Sequence, residues 1–138
     1  MKKKFKTLQE KFWAEKFGNK YIKRNKESKN RLKTIGHVLK KNNLNILSAL
    51  ELGCNVGYNL DALKTLFKKS KLYGVEINKL AFNEANKKYN CYNESILDFK
   101  SKKKYDLVFT AGVLIHQNPK YLKKIYKKIY QLSKKYIY

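Results

Sequence analysis

Glu51-Leu52-Gly53-Cys54-Asn55-Val56-Gly57 sets an acidic residue at the end of a strand-like run and follows it with two glycines. A strand that passes its backbone to a helix through glycines makes a cradle. Glycine allows close approach and unusual backbone angles, and the first N–H groups of the helix are left without intrahelical partners. Glu76 ends the next strand-like run, Leu72-Tyr73-Gly74-Val75. It follows the glycines by roughly 20 residues, where doubly wound α/β folds place a carboxylate for ribose hydroxyls. The loop is neither the G-x-G-x-x-G of a dinucleotide site nor the Lys-containing phosphate loop. The chemistry it fits is recognition of one nucleoside carrying a polar tail that is not a phosphate.

The elements that must hold these residues alternate between strand and helix periods. Asn45 to Glu51, Leu72 to Glu76, a short run near Cys91-Tyr92, and Tyr105 to Thr110 read as strands. Between them, Leu60, Leu63, Leu66 and Phe67, and then Ala81, Phe82, Ala85 and Tyr89, recur at helical spacing. Asn118 followed by Pro119 is a helix entry, an N-cap with proline in the first turn, and Tyr121, Leu122, Ile125, Tyr126, Ile129 and Leu132 continue it. Tyr136-Ile137-Tyr138 begins a fifth strand. Ahead of all this lie two helices, one with Leu8, Phe12, Trp13 and Phe17 that stops at Gly18, and one with Leu32, Ile35, Val38 and Leu39 that leads to Lys40-Lys41-Asn42-Asn43. The pattern predicts an α/β fold with a mostly parallel sheet and helices on both faces. It divides one domain into amino-terminal helices, 1–44, and an α/β core, 45–138.

S-adenosylmethionine meets the ligand description, and at the same residues the chain resembles the class I S-adenosylmethionine-dependent methyltransferases. Glu51 to Gly57 is similar to that superfamily's first motif and Tyr73-Gly74-Val75-Glu76-Ile77 to its second. Two flanking segments, Phe12 to Asn25 and Asp106 to Pro119, resemble the pseudaminic acid biosynthesis-associated methylases. The resemblance implies a Rossmann-like sheet and amino-terminal helices capping the cofactor site. It implies that Gly53, Cys54, Asn55 and Gly57 line the methionine part of the cofactor and that Glu51 takes its amino group, directly or through water. Glu76 would accept from the ribose hydroxyls, with Ile77 against the adenine. After the third strand the superfamily often has an Asp near the adenine amino group. Alignment puts Ser95 there, with the Ile96 backbone, while Asp98 lies three residues on; both stand as candidates. Thr110, Ala111 and Gly112 would pass the sulfonium, and Tyr21, Arg24 and Asn25 would close over the cofactor carboxylate. His116 is the candidate general base, because an imidazole titrates near neutral pH. No metal is required.

Class I enzymes add two more strands to the sheet, and the methylases resembled here continue well beyond the fifth. The resemblance therefore places the acceptor side outside these residues, the chain being a fragment, a truncated gene or a protein completed by a partner.

Composition narrows the alternatives. At 138 residues and 43% hydrophobic content this is one globular domain, and no apolar run approaches the ~20 residues of a membrane span. The Lys-rich start lacks the apolar core of a signal peptide, so the expected setting is cytoplasmic. Two cysteines, Cys54 and Cys91, are too few for a disulfide framework or a zinc site, and read as reduced, packed thiols. The formal charge of +23 would suit a polyanion, yet only Arg24 and Arg31 are arginines. Arg is favoured where phosphate is held bidentately. Lys, Asn, Tyr, Ile and Phe are inflated together, as an AT-rich genome would leave them, and runs such as Lys2-Lys3-Lys4 and Lys102-Lys103-Lys104 read as solvated loops. The leading expectation is methylation of a small, sugar-like acceptor of surface nonulosonic acid biosynthesis. An RNA or other nucleic-acid methyltransferase is the runner-up on charge, although Thr110-Ala111-Gly112-Val113 lacks the Asn/Asp-Pro-Pro-aromatic motif of amino-group base methylases. A cofactor-binding remnant without catalysis is the third reading. Oligomeric state is not legible.

Overall fold

In the computed structural model, residues 5–25, 30–40 and 42–138 are described. The Lys2-Lys3-Lys4 run and Lys41 lie outside them. Within the core, strands and helices alternate as β1 (Ser48–Leu52), α4 (Tyr58–Leu66), β2 (Lys71–Val75), α5 (Lys79–Asn86), β3 (Asn90–Tyr92), β4 (Tyr105–Phe109), α6 (Pro119–Leu132) and β5 (Ser133–Ile137). Ahead of them lie α1 (Leu8–Ala14), α2 (Lys16–Arg24) and α3 (Asn30–Lys40). The five strands form one parallel sheet in the order β3-β2-β1-β4-β5. Chain direction of travel reverses at β1, since β2 leaves to one side and β4 to the other. In such open sheets ligands settle at that switch point, beyond the carboxyl ends of the strands.

Side-chain alternation along the strands builds a core on each face. Ala49, Leu72, Leu107 and Phe109 pack with Leu60 and Leu63 of α4 and Ile35 and Leu39 of α3. Leu50, Leu52, Val75 and Val108 pack on the other face with Ile125, Ile129 and Leu132 of α6. Both faces are covered, which is why the central strands are apolar on either side. The sheet therefore holds the strand ends, and everything attached to them, in a rigid row.

Several boundaries differ from the sequence expectation: α4 ends before Phe67 and α5 before Tyr89, β2 and β4 stop before Glu76 and Thr110, and three further differences have a visible cause. The first helix does not run on to Gly18: it ends at Ala14, a new helix starts at Lys16, and Gly18 lies inside that second helix and is buried. A Cβ on Gly18 would lie 1.8 Å from the Trp13 carbonyl oxygen and 2.7 Å from Asn78 Nδ2, so this glycine serves a close approach of backbone rather than a helix stop. The fifth strand begins at Ser133, directly after α6, rather than at Tyr136. Its Lys134 and Lys135 are exposed, so no hydrophobic alternation marks its start. The first strand starts at Ser48, because Leu47 N–H is taken by the Asp106 carboxylate at 2.9 Å instead of the ladder. The Asn118 cap is present, its side chain accepting from Lys120 N–H at 3.0 Å.

Gly18→Ala should lower stability by about 1–3 kcal/mol, as overpacking against backbone that cannot give way does. Urea unfolding followed by circular dichroism measures it, and an unchanged midpoint would show that the α1–α2 corner relaxes freely.

Candidate functional site

The carboxyl ends of β1, β2 and β4 open into a cavity whose far wall is formed by α1, α2 and Arg31 in the first turn of α3. Of the residues expected at the site, Gly53, Cys54, Asn55, Glu76, Ile77, Ser95, Ile96, Tyr21 and His116 line it together. Tyr21 and His116, 95 positions apart in sequence, line the same cavity. Gly57, Thr110, Glu51 and Arg24 are not among the lining residues. Gly57 instead stands at the N-cap of α4 with φ 90°, donating to the Cys54 carbonyl at 2.9 Å. Ala111, Gly112 and Val113 carry the wall after β4 in place of Thr110, whose hydroxyl is buried without a hydrogen-bond partner among the described residues. Arg24 is exposed, its guanidinium 6.0 Å from the Tyr21 ring.

The loop between β1 and α4 has its shape for physical reasons. Gly53 has φ 82°, a left-handed conformation that favours glycine, and a Cβ there would meet Val113 Cγ2 at 2.7 Å. Its N–H donates to the Val75 carbonyl at 2.8 Å. Asn55 also has positive φ, 48°, which asparagine tolerates better than most residues. Its backbone N–H donates to Glu76 Oε2 at 2.8 Å, so the loop is tied to the end of β2. Glu76 Oε1 accepts from Asn78 N–H at 2.7 Å. The role of Asn55 is thus structural to Glu76 as well as cavity-lining. The Cys54 thiol is inert: its hydrogen bond with Cys91, then burial, raises its pKa well above the ordinary thiol value.

Four residues of the site escaped the sequence reading. Asn78 caps α5 by accepting from Ala81 N–H at 3.0 Å, and its Nδ2 donates to Asn19 Oδ1 at 2.8 Å and to the Trp13 carbonyl at 3.2 Å. Its signal was an Asn just before a helical run. Glu10 is buried, and its carboxylate receives the Ser95 hydroxyl; Thr7-Leu8-Gln9-Glu10 is a capping box, with both reciprocal bonds present. Asp98, the other candidate on that segment, is exposed, pairs with Lys6 and is not among the lining residues. Arg31 and Asn59 complete the set. Arg31 Nη1 donates to Asn59 Oδ1 at 2.9 Å, Asn59 Nδ2 donates to Glu51 Oε1 at 2.5 Å, and both line the cavity. No local pattern announced that relay.

Glu51 therefore sits behind the wall, reached through Asn59. It is 0% exposed and its Oε2 has no hydrogen-bond partner among the described residues. Burial pushes its pKa up to about 8, against the opposing pull of the Asn59 hydrogen bond and the Arg31 charge. His116 lies on a 3-10 turn, Leu114–His116, with its ring 4.8 Å from that of Trp13. Trp13 in turn meets Tyr21 edge-on at 5.3 Å and Phe17 at 5.1 Å. The arrangement joins a polar floor of carboxylates and amides to an aromatic rim. No cluster of three or more metal-ligating side chains occurs among the described residues.

A protein-family model described as a methyltransferase domain matches residues 50–135. No curated protein sequence matches the chain. Among solved structures, magnesium protoporphyrin IX methyltransferase from Synechocystis, crystallised with bound S-adenosylmethionine, superposes with a TM-score of 0.69 at 17% identity, over 94% of this chain and 74% of that one. An S-adenosylmethionine-dependent methyltransferase from Clostridium acetobutylicum gives 0.67 at 21% identity, over 86% of this chain and 52% of that one. A sugar N-methyltransferase from Streptoalloteichus gives 0.69 at 16% identity, over 97% and 53%. At these identities the likeness establishes the Rossmann-like methyltransferase fold. The chain spans about half the length of the latter two. No helix among the described residues is long and apolar enough to cross a membrane.

The raised pKa of Glu51 has a consequence for stability. A carboxyl that holds its proton more tightly when folded stabilises the native state fully below its unfolded value. That contribution is lost as pH rises from about 4.5 towards about 8. Glu51→Gln keeps an acceptor for Asn59 and removes the titration. The fall in Tm between about pH 5 and about pH 8 should shrink in the variant. Equal slopes for the two proteins would assign the pH dependence to other groups.

Proposed function

The chain belongs to the methyltransferase-domain family, and from that premise we propose that its cavity binds S-adenosylmethionine and presents the methyl group to a small, sugar-like acceptor. The observation that carries this reading is the Glu76 carboxylate, held by two backbone N–H groups beside the Gly53 loop at the switch point of the sheet. The residues fit the cofactor. Glu76 offers an acceptor with the apolar Ile77 next to it for a base. Gly53 and Asn55 bring bare backbone to the wall. Glu51 lies behind Asn59, so a primary ammonium seated against Asn59 would act on its carboxyl through that side chain or a water.

When bound, the sulfonium supplies an electrophilic carbon to an in-line attack. The chain's own part is to orient and to shield. Glu76 would fix the ribose, and the Gly53–Gly57 loop would fix the methionine end. The helices of residues 1–44 would cap the site, since Trp13, Tyr21 and Arg31 stand on the opposite wall. His116 would take the acceptor proton on its imidazole, with Trp13 packed beside it to orient the ring. Trp13 and Tyr21 supply an aromatic rim of the kind on which a sugar ring stacks. A sugar N-methyltransferase among the structural neighbours and the resemblance to the pseudaminic acid-associated methylases support the sugar-like acceptor.

Titration calorimetry with S-adenosylhomocysteine, then methyl transfer to nucleotide-activated sugars, tests the proposal; no binding would end it. Glu76→Ala removes a charged acceptor, whose hydrogen bonds contribute about 1.5–3 kcal/mol, so affinity should fall at least about tenfold. Unchanged affinity would exclude Glu76 from the ligand. An ammonium beside Glu51 would also draw its pKa down from about 8, so binding near pH 7 should release a proton. Calorimetry in buffers of different ionisation enthalpy reads that release, and Glu51→Gln should abolish it. A buffer-independent enthalpy for the unmodified protein would place the ammonium elsewhere.

A further inference from the structure

We propose that Glu10 reads the base of the bound nucleoside, accepting from the exocyclic amine of adenine and discriminating against purines that carry a carbonyl there. The inference rests on the nucleoside reading of the cavity. It concerns a residue of α1, far in sequence from the strand-end motifs.

A capping box needs no buried glutamate. Its reciprocal bonds form equally well at a solvated helix end. Glu10 is nonetheless only 7% exposed and lines the cavity with Ser95, Ile96 and Ile77. Its two oxygens have separate duties. Oε2 accepts from the backbone N–H groups of Lys6 at 2.6 Å and Thr7 at 3.3 Å. Oε1 receives the Ser95 hydroxyl. A carboxylate offers about four lone-pair sites, so Oε1 keeps acceptor capacity beyond its bond with Ser95. Ser95 gives its hydroxyl proton to Glu10 and uses one lone pair of its oxygen to accept from Leu97 N–H at 3.0 Å, so it has no donor left for a ligand. Of the two carboxylates on this stretch of wall Glu10 is the buried one, Glu94 being exposed; Gln9 lines the cavity as well.

Its place relative to Glu76 suits a base. With ribose on Glu76, the neighbouring Ile77 and Ile96 give apolar surface for a planar ring, and Glu10 stands beside Ser95, next to Ile96. Adenine presents a donor at its 6-position, which a carboxylate accepts. Hypoxanthine presents a carbonyl, which the same carboxylate repels in a buried setting. A wall built to accept from a donor rejects the analogue that lacks it more strongly than shape alone does.

The test uses the whole chain and two ligands, S-adenosylhomocysteine and its hypoxanthine analogue, titrated by calorimetry. The unmodified protein should prefer the adenine ligand by at least about tenfold. Glu10→Gln retains the capping box, because Gln serves there as Glu does. The Lys6 and Thr7 donors hold the amide oxygen, so the amide nitrogen turns towards Ser95 and the cavity. That variant should lose the preference or reverse it, chiefly through weaker binding of the adenine ligand. Thr7→Ala is the structural control: it weakens the cap of α1 without removing the carboxylate, and should keep the preference. A folded Glu10→Gln protein that still prefers adenine as strongly overturns the proposal. So does a Thr7→Ala protein that loses the preference equally, since Glu10 would then act only by holding α1. If the unmodified protein binds neither ligand, the nucleoside reading of the cavity fails and takes this inference with it. If it binds both equally, the cavity reading stands and only Glu10's role falls.

Discussion

The Glu76 carboxylate is the point on which the cavity depends. One oxygen is held by the Asn55 N–H of the loop after β1, the other by the Asn78 N–H at the start of α5. These two N–H donors satisfy a carboxylate that is only 8% exposed. The same Asn78 reaches Asn19 and the Trp13 carbonyl, so the charge at the end of β2 is coupled through one side chain to the amino-terminal helices. Loss of that side chain would release the cap of α5 and the far wall together.

A second carboxylate, at the end of the adjacent strand, has the opposite environment. Glu51 is enclosed by the central strands, with Asn59 as its hydrogen-bond partner among the described residues, so desolvation prevails over the Arg31 charge and its pKa rises to about 8. Two glutamates on neighbouring strands thus have opposite surroundings. One is tied by two backbone N–H groups, and the other is desolvated and holds its proton more tightly than a free carboxyl does. Register pairs β1 with β2 residue by residue, Leu52 opposite Val75, and this is what keeps the two acids at one edge of the sheet.

The rim is of a different kind. Trp13, Tyr21 and His116 come from separate elements and meet through ring contacts, without a hydrogen bond between their side chains among those described. Such contacts are soft compared with the clamped floor. A site with a rigid polar floor and an aromatic rim holds one ligand in fixed geometry and lets the other settle against it. The division suits a donor that must be held and an acceptor that must be exchanged.

Much of this was legible in the chain itself. The strand-glycine-helix pattern at Glu51–Gly57, the acid at Glu76 and the Asn118-Pro119 helix entry each follow from backbone preferences that act within a few residues, and the α/β class follows from their alternation. The capping box at Thr7–Glu10 and the cap at Asn78 were equally local, and their helix-end signals were present. What no local rule carries is the identity of partners brought from afar. Ser95 meets Glu10 rather than leaving its place to Asp98, Arg31 reaches Glu51 through Asn59, and Gly18 lies inside a helix because the Trp13 carbonyl needs the space. The exposed start of β5 was hidden for a related reason, since an edge strand bearing lysines has no buried face to pattern its sequence. Sequence alone determined which residues turn, cap and alternate, because those preferences are set by each residue's own backbone and side-chain geometry. Only the tertiary structure decided which of two glutamates is tied by backbone N–H groups and which helix supplies the carboxylate beside Ser95, because burial and pairing are properties of the packed neighbours and not of the residue.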